Sequence, residues 1–281
     1  ETALGRKRRI DQSACNQDFS CVEGFCPSFV SVIGGNLRRP PARAIASSTI
    51  VPPEPPLPDL QNPWNTIITG IGGSGVLTVG SVLAMAAHLA GRGVTNLNQT
   101  GLAQKFGAVI SHVRIGRQQE DIYASRIASG DADLLLGCDL MVARSSDALD
   151  KLNPERSHAV VNSHPTTTAD FIKNPDLQLP VDYIQQQLSR ETQEQGCHWI
   201  DATGFAQAVL GDTLASNFFL LGYAYQEGLV PVHANHLNEA IALNGASVTK
   251  NQEAFLLGRQ AAHDFNAFNQ GLGEETQPQA V

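Results

Sequence analysis

Thr66-Ile67-Ile68-Thr69-Gly70-Ile71-Gly72-Gly73-Ser74-Gly75-Val76-Leu77-Thr78-Val79 is the stretch on which the fold turns. Four residues rich in β-branched side chains run straight into four glycines within six positions. Apolar residues at helical spacing then continue from Val76 to Ala90. A strand, a glycine turn and a helix in that order is the context in which a G-x-G-x-x-G pattern carries meaning. Glycine permits the tight turn and close backbone approach. The helix start offers N–H groups without intrahelical partners, and a favourable dipole, to an anion such as phosphate. The same four glycines would also serve a turn that needs only to pack, with nothing bound.

Outward from the loop, short apolar runs alternate with helical patterns. Val94–Leu97, Val109–Ile115, Leu134–Val142, His158–Asn162 and Cys197–Asp201 read as strands. Ala148–Leu152, Phe205–Glu227, Leu237–Asn244 and Lys250–Phe265 read as helices. Strands separated by helices imply βαβ units, so the expected fold is α/β, doubly wound around a mostly parallel sheet. The common nucleotide classes fit poorly. A dinucleotide site wants an acid near the end of the second strand, about 20 residues beyond the loop, where this chain reads Val94-Thr95-Asn96-Leu97-Asn98-Gln99-Thr100. A Walker loop wants a lysine after its last glycine, and Val76 stands there.

Eight of the 15 prolines fall between Pro40 and Pro63, including Pro52-Pro53, Pro55-Pro56 and Pro58. Such a stretch favours polyproline II, and residues 36–63 read as a semi-rigid linker. It divides a short cysteine-bearing segment, residues 1–35, from a continuous domain over residues 64–265. Residues 266–281, rich in Gln, Gly and Glu, read as a tail.

In the first segment Cys15, Cys21 and Cys26-Pro27 lie close together. Intracellular chains rarely keep disulfides, so three near thiols favour metal or redox chemistry. A closing Cys-Pro also occurs in bacterial iron–sulfur loops, although three thiols at this looser spacing do not complete a four-cysteine site. Buried free thiols are the simpler account, and the one expected for Cys138 and Cys197.

The 281 residues are 42% hydrophobic, enough for a sizeable core. Charged residues make up only 16%, a surface that other protein could cover. The 19 basic and 27 acidic residues give −8, which argues against a nucleic-acid or anionic-membrane footprint for the chain as a whole. The basic run Arg6-Lys7-Arg8-Arg9 is expected to be a solvated or partner-facing loop rather than a nucleic-acid patch. Val76–Gly91 is too short to span a bilayer, and no charged-then-apolar leader opens the chain. A soluble, cytoplasmic protein is expected. The start at Glu1 suggests a piece of something longer.

Among the histidines, His112 inside an apolar strand is expected to be structural. His158, His164, His198, His233 and His236 show no metal spacing. Asp201-Ala202-Thr203, at a strand end, could line a ligand crevice or cap the following helix.

Two groups of residues carry a family resemblance. Gly5-Arg6-Lys7-Arg8-Arg9-Ile10-Asp11-Gln12-Ser13, Cys15-Asn16, Ser20-Cys21 and Gly24-Phe25-Cys26-Pro27-Ser28-Phe29 resemble the ferredoxin-like region of the long, fused indolepyruvate ferredoxin oxidoreductases. The glycine loop, Gln99-Thr100-Gly101 and Ser111-His112-Val113-Arg114-Ile115-Gly116 resemble the Rossmann-like γ domain of the 2-oxoacid:ferredoxin oxidoreductases. The resemblance implies oxidative decarboxylation of an aryl pyruvate, using thiamin diphosphate, [4Fe-4S] clusters and coenzyme A, with ferredoxin as electron acceptor. It makes Cys15, Cys21 and Cys26 cluster ligands. It makes Gly70, Gly72, Gly73, Ser74 and Gly75 a phosphate cradle, with Thr100, Lys105 and Arg114 as further contacts and Ser111 as a possible hydroxyl donor. No thiamin-binding segment is recognisable, so the chain is expected to work only in an oligomer with the thiamin-binding domains of the same enzyme. The rival expectations are a non-catalytic interaction domain and an NAD-dependent oxidoreductase domain.

Overall fold

The computed structural model describes residues 51–101, 107–166, 173, 174 and 176–271, with isolated positions 3, 5, 23, 24, 33 and 34. Its centre is a six-stranded sheet of β1 (Trp64–Ile71), β2 (Gly93–Thr100), β3 (Ala108–Gly116), β4 (Leu134–Gly137), β5 (His158–Asn162) and β6 (Cys197–Ile200). The strand order is β2-β3-β1-β4-β5-β6. β1, β4, β5 and β6 pair in parallel. β3 runs antiparallel to both β1 and β2. Five strands therefore share one direction and β3 opposes them, which makes the sheet mixed.

Nine helices flank the sheet among the described residues: α1 (Val76–Leu89), α2 (Leu140–Ala143), α3 (Ser146–Leu149), α4 (Val181–Arg190), α5 (Ala202–Leu210), α6 (Ser216–Gln226), α7 (Ala234–Asn244), α8 (Val248–His263) and α9 (Phe265–Gly271). The continuous apolar runs in the strands follow from this covering of both faces. Ile68, Leu134, Leu136 and Val160 share one core with α1, α6, α7 and α8. The alternate residues Ile67, Leu135 and Val161 share a second core with α2 and α4.

The boundaries differ from the sequence reading where a side chain caps a helix. The expected strand Leu134–Val142 stops at Gly137, because Asp139 accepts the N–H groups of Met141 and Val142 and starts α2. The expected single helix Phe205–Glu227 is two helices. Asp201 accepts from Gly204 and starts α5 early, Gly211 ends it at φ 64°, and Asp212 accepts from Leu214 to begin a 3-10 turn leading into α6. Helix α4 has no counterpart among the expected elements: Asp182, Tyr183, Gln186, Ser189 and Arg190 are exposed, and only Ile184 and Leu188 are buried.

α6 and α8 cross at glycines. A Cβ on Gly222 would collide with the Phe255 carbonyl, and one on Gly258 with the Phe219 carbonyl. Two parts outside the sheet are also packed in. Leu60, in the proline-rich stretch, is buried in the main core, and so is Phe268 of α9. Phe268 packs edge-on to Phe205.

Candidate anion site at the glycine loop

Each glycine of the loop has its own reason to be there. At Gly70 a Cβ would lie 2.6 Å from Val76 Cγ2 and 3.2 Å from the Cβ of Cys138, so the strand end admits no side chain. Gly72 donates its N–H to the Gly107 carbonyl at 2.8 Å. Gly73 and Gly75 both sit at φ 90°, where other residues are strained. The Ser74 hydroxyl closes the turn by donating to the Ile71 carbonyl at 2.6 Å. Asn217, at the start of α6, donates to the Ser74 carbonyl at 2.7 Å and holds the loop from outside. The N–H groups of Gly73 and Gly75 meet no backbone acceptor among the described residues. No side chain caps α1.

The loop forms one wall of a cavity of about 180 Å³. The other walls are Thr78 of α1, the 3-10 turn with Asp212, Phe218 of α6, and Ser247, Lys250 and Asn251 at the start of α8. Lys250 supplies the positive charge, its Nζ lying 3.1 Å from the Asp212 carboxylate. Backbone donors on one side and an ammonium on the other suit an anionic group. The volume is below the roughly 300–1,000 Å³ of a site that encloses a whole small molecule. A cavity of this volume has room for one phosphate-sized group.

The other expected site residues divide by position. Thr100 is exposed at the end of β2 and pairs with Val109, which lies opposite Gly70. It therefore shares the loop's edge of the sheet, two strand spacings or about 10 Å away. Arg114 pairs with Asn65, five residues down β1 from Gly70, which places it roughly 17 Å away at the opposite edge. There it donates to Asn65 Oδ1 at 2.8 Å and to the Ala124 carbonyl at 3.0 Å, and it faces Asp131 at 3.6 Å. Arg114 is not brought to the glycine loop. Ser111 donates to Asn96 at 3.0 Å beneath Gly80 and is also a packing residue. Lys105 and the three thiols Cys15, Cys21 and Cys26 lie outside the described residues. Cys138 and Cys197 are free thiols, Cys138 fully buried and Cys197 partly.

His112 is buried. Ile127 donates to its Nδ1 at 3.4 Å, so Nε2 carries the hydrogen and donates to Gln99 Oε1 at 2.8 Å. Burial, with smaller contributions from Arg126 and Lys151, lowers its pKa to about 4. Neutral and with both ring nitrogens satisfied, it is structural as expected. Of its two readings Asp201 takes the cap, accepting from Gly204 of α5 at 2.7 Å, and it also meets His164 Nδ1 at 3.2 Å. The His164 hydrogen bond is the main cause holding its carboxyl below the usual range. Sequence reading missed Lys250 and Asn217. Both come to the loop from far along the chain, and nothing local to either marks it.

This α/β fold has solved relatives. The chain superposes with a TM-score of 0.50 on the gamma subunit of a keto/oxoacid ferredoxin oxidoreductase from Geobacter sulfurreducens, at 20% identity over 71% of this chain and 98% of that one. It superposes with a TM-score of 0.53 on a 2-oxoglutarate:ferredoxin oxidoreductase from Magnetococcus marinus, whose structure has 2-oxoglutarate, coenzyme A and succinyl-CoA bound. That match has 19% identity and covers 72% of this chain and 31% of the other. Residues 65–261 match the pyruvate ferredoxin/flavodoxin oxidoreductase family, and the chain belongs to it. Among characterised relatives, the indolepyruvate oxidoreductase subunit IorB of Pyrococcus horikoshii is 29% identical over 205 residues, 72% of this chain and 96% of that protein. The subunit of the same name from Archaeoglobus fulgidus is 28% identical, covering 70% and 94%.

Proposed function

We propose that the chain is the γ part of an indolepyruvate-type 2-oxoacid:ferredoxin oxidoreductase, and that its glycine loop holds a phosphate of coenzyme A. The observation carrying this reading is that Gly73 and Gly75, whose N–H groups meet no backbone acceptor among the described residues, line one cavity together with Lys250. The residues fit the group: the donors are positively polarised, and no carboxylate other than that of Asp212, already paired with Lys250, lines the walls. Gly73 and Gly75 bind the anion through backbone, Lys250 neutralises it, and Asn217 keeps the loop in register. In the complete enzyme, thiamin diphosphate supplies the electron sink for decarboxylation, [4Fe-4S] clusters carry electrons to ferredoxin, and coenzyme A accepts the acyl group. The thiamin site belongs to partner domains, and Cys15, Cys21 and Cys26 would be cluster ligands. The NAD alternative is weakened by topology: the second strand, β2, is separated from β1 by the antiparallel β3, and β2 ends without an acid to hold a ribose.

Calorimetric titration of the chain tests the assignment. Coenzyme A should bind, and Lys250→Ala should weaken it by about tenfold, the loss expected for one charge-assisted contact. Absence of binding, or binding indifferent to Lys250, would overturn the site. Micromolar NADH binding without coenzyme A binding would move the assignment to a dinucleotide. For the thiols, Cys26→Ser in the complete enzyme should lower iron content and electron transfer to ferredoxin; an unchanged iron count refutes that ligand.

A further inference from the structure

Arg259 of α8 is a cation with 4% of its side chain exposed, at the end of the α6–α8 pair away from the glycine loop. Its partners come from α6 and from the proline-rich stretch ahead of the sheet. Nε donates to Gln226 Oε1 at 3.0 Å, and Nη2 to the Pro52 carbonyl at 2.8 Å. Nη2 also faces the Glu54 carboxylate at 3.1 Å, while the guanidinium lies over the Tyr225 ring, 5.0 Å from its centre. The stretch is gripped at further points. Gln226 donates to the Pro53 carbonyl at 2.9 Å, the Tyr225 hydroxyl donates to Glu54, and the Pro56 carbonyl lies 2.9 Å from where a Cβ on Gly228 would be.

The family match begins at residue 65, so the gripped residues lie outside the family domain while the residues that grip them lie inside it. A buried cation is tolerated only when paired, and the carboxylate that pairs with Arg259 comes from outside the domain.

We infer that Pro52–Leu57 is a docked strap, clasped by Arg259, Tyr225 and Gln226, which fixes the point where the upstream chain joins the domain. Proline-rich sequence is well suited to such docking, because it is already extended and loses little conformational entropy when held. Lys250 and Arg259 are nine residues apart on one helix, so the clasp stands about 14 Å along α8 from the anion cavity. Pro52–Glu54 thus lies at the far end of the helix pair from the cavity. The clasp does not depend on what the glycine loop binds.

The test is proteolysis of the full chain by an endoprotease that cuts on the amino side of aspartate, with fragments followed by mass spectrometry. The bond Pro58–Asp59 reports on the strap, and the bond Val181–Asp182, at the start of α4, reports on the rest of the domain. Arg259→Met should speed cleavage before Asp59 at least about tenfold, as expected when a local opening becomes cheaper, with cleavage before Asp182 unchanged. Glu54→Gln, an alteration of a half-exposed residue on the strap itself, should act in the same direction and covers the case in which Arg259→Met does not fold. Cleavage before Asp59 as fast in the unaltered chain as in the variants, or unchanged in both, overturns the clasp.

Discussion

At the scale of single residues, His112 shows how burial converts a suggestive side chain into a pH liability. Its folded pKa of about 4 lies below the ordinary 6.5, so the unfolded chain takes up a proton that the folded protein refuses. Stability is complete above pH 6.5 and falls as the pH drops towards 4, by up to about 3 kcal/mol. Urea denaturation at pH 7 and pH 5 should show this loss, and His112→Gln should show less of it. Part of the slope will remain, because burial also lowers the pKa of His158. Arg114 makes the complementary point. Its place in a stretch resembling the γ domain suggests a phosphate contact, and register alone moves it to the wrong end of β1. Arg114→Met should cost about 1–3 kcal/mol of stability, the range for lost hydrogen bonds to a charged group. Coenzyme A affinity should not change, in contrast to Lys250→Ala. The glycine loop was legible because a local pattern of strand, glycines and helix marks it, whereas Thr100 does not line the cavity. Lys250 was not legible, because the start of α8 meets the loop only through tertiary packing.

At the scale of elements, the α6–α8 crossing depends on two missing side chains. Gly222→Ala or Gly258→Ala forces a methyl group into a carbonyl of the facing helix and separates the pair. Overpacking of this kind costs about 3 kcal/mol or more where backbone must move, which lowers the melting temperature by roughly 6–12 °C in a domain of this size. Calorimetry of either variant checks this, and a change under about 1 kcal/mol would mean that the helices shift apart freely. Strand β5 and helix α1 were readable almost to the residue, since one is a short β-branched run and the other a long apolar period. The break between α5 and α6 was missed although Gly211-Asp212 is a stop followed by a cap; the apolar residues on both sides hid it. Helix α4 was missed for the opposite reason, having only two buried positions to announce it.

At the scale of the whole molecule, the order of elements was legible and the order of strands was not. Sequence periodicity identifies β1, β2 and β3 but contains nothing that says β3 slots between the other two and runs backwards. Two cores, one on each sheet face, explain why β4 and the Ala159–Val161 run of β5 are continuously apolar. The described helices include none long and apolar enough to cross a membrane. The strap adds a prediction at this scale: a version of the chain beginning at Trp64 should be markedly less stable than one beginning at Val51, because the core would lose Leu60 and Arg259 would lose Glu54 and the Pro52 carbonyl. Denaturation midpoints of the two lengths decide it, and equal midpoints would mean that the strap adds nothing to the domain.

The reversed strand also sets a timetable for assembly. β2 and β3 meet across a short connection, Thr100 against Val109, whereas Thr66 of β1 must find Leu134 of β4 from the other side of α1, β2 and β3. Closing the small loop loses less chain entropy than closing the large one. The β2–β3 ribbon is thus the piece that can form early and alone. β1, although first in the sheet region of the chain, pairs only across longer separations and is expected to join after that ribbon.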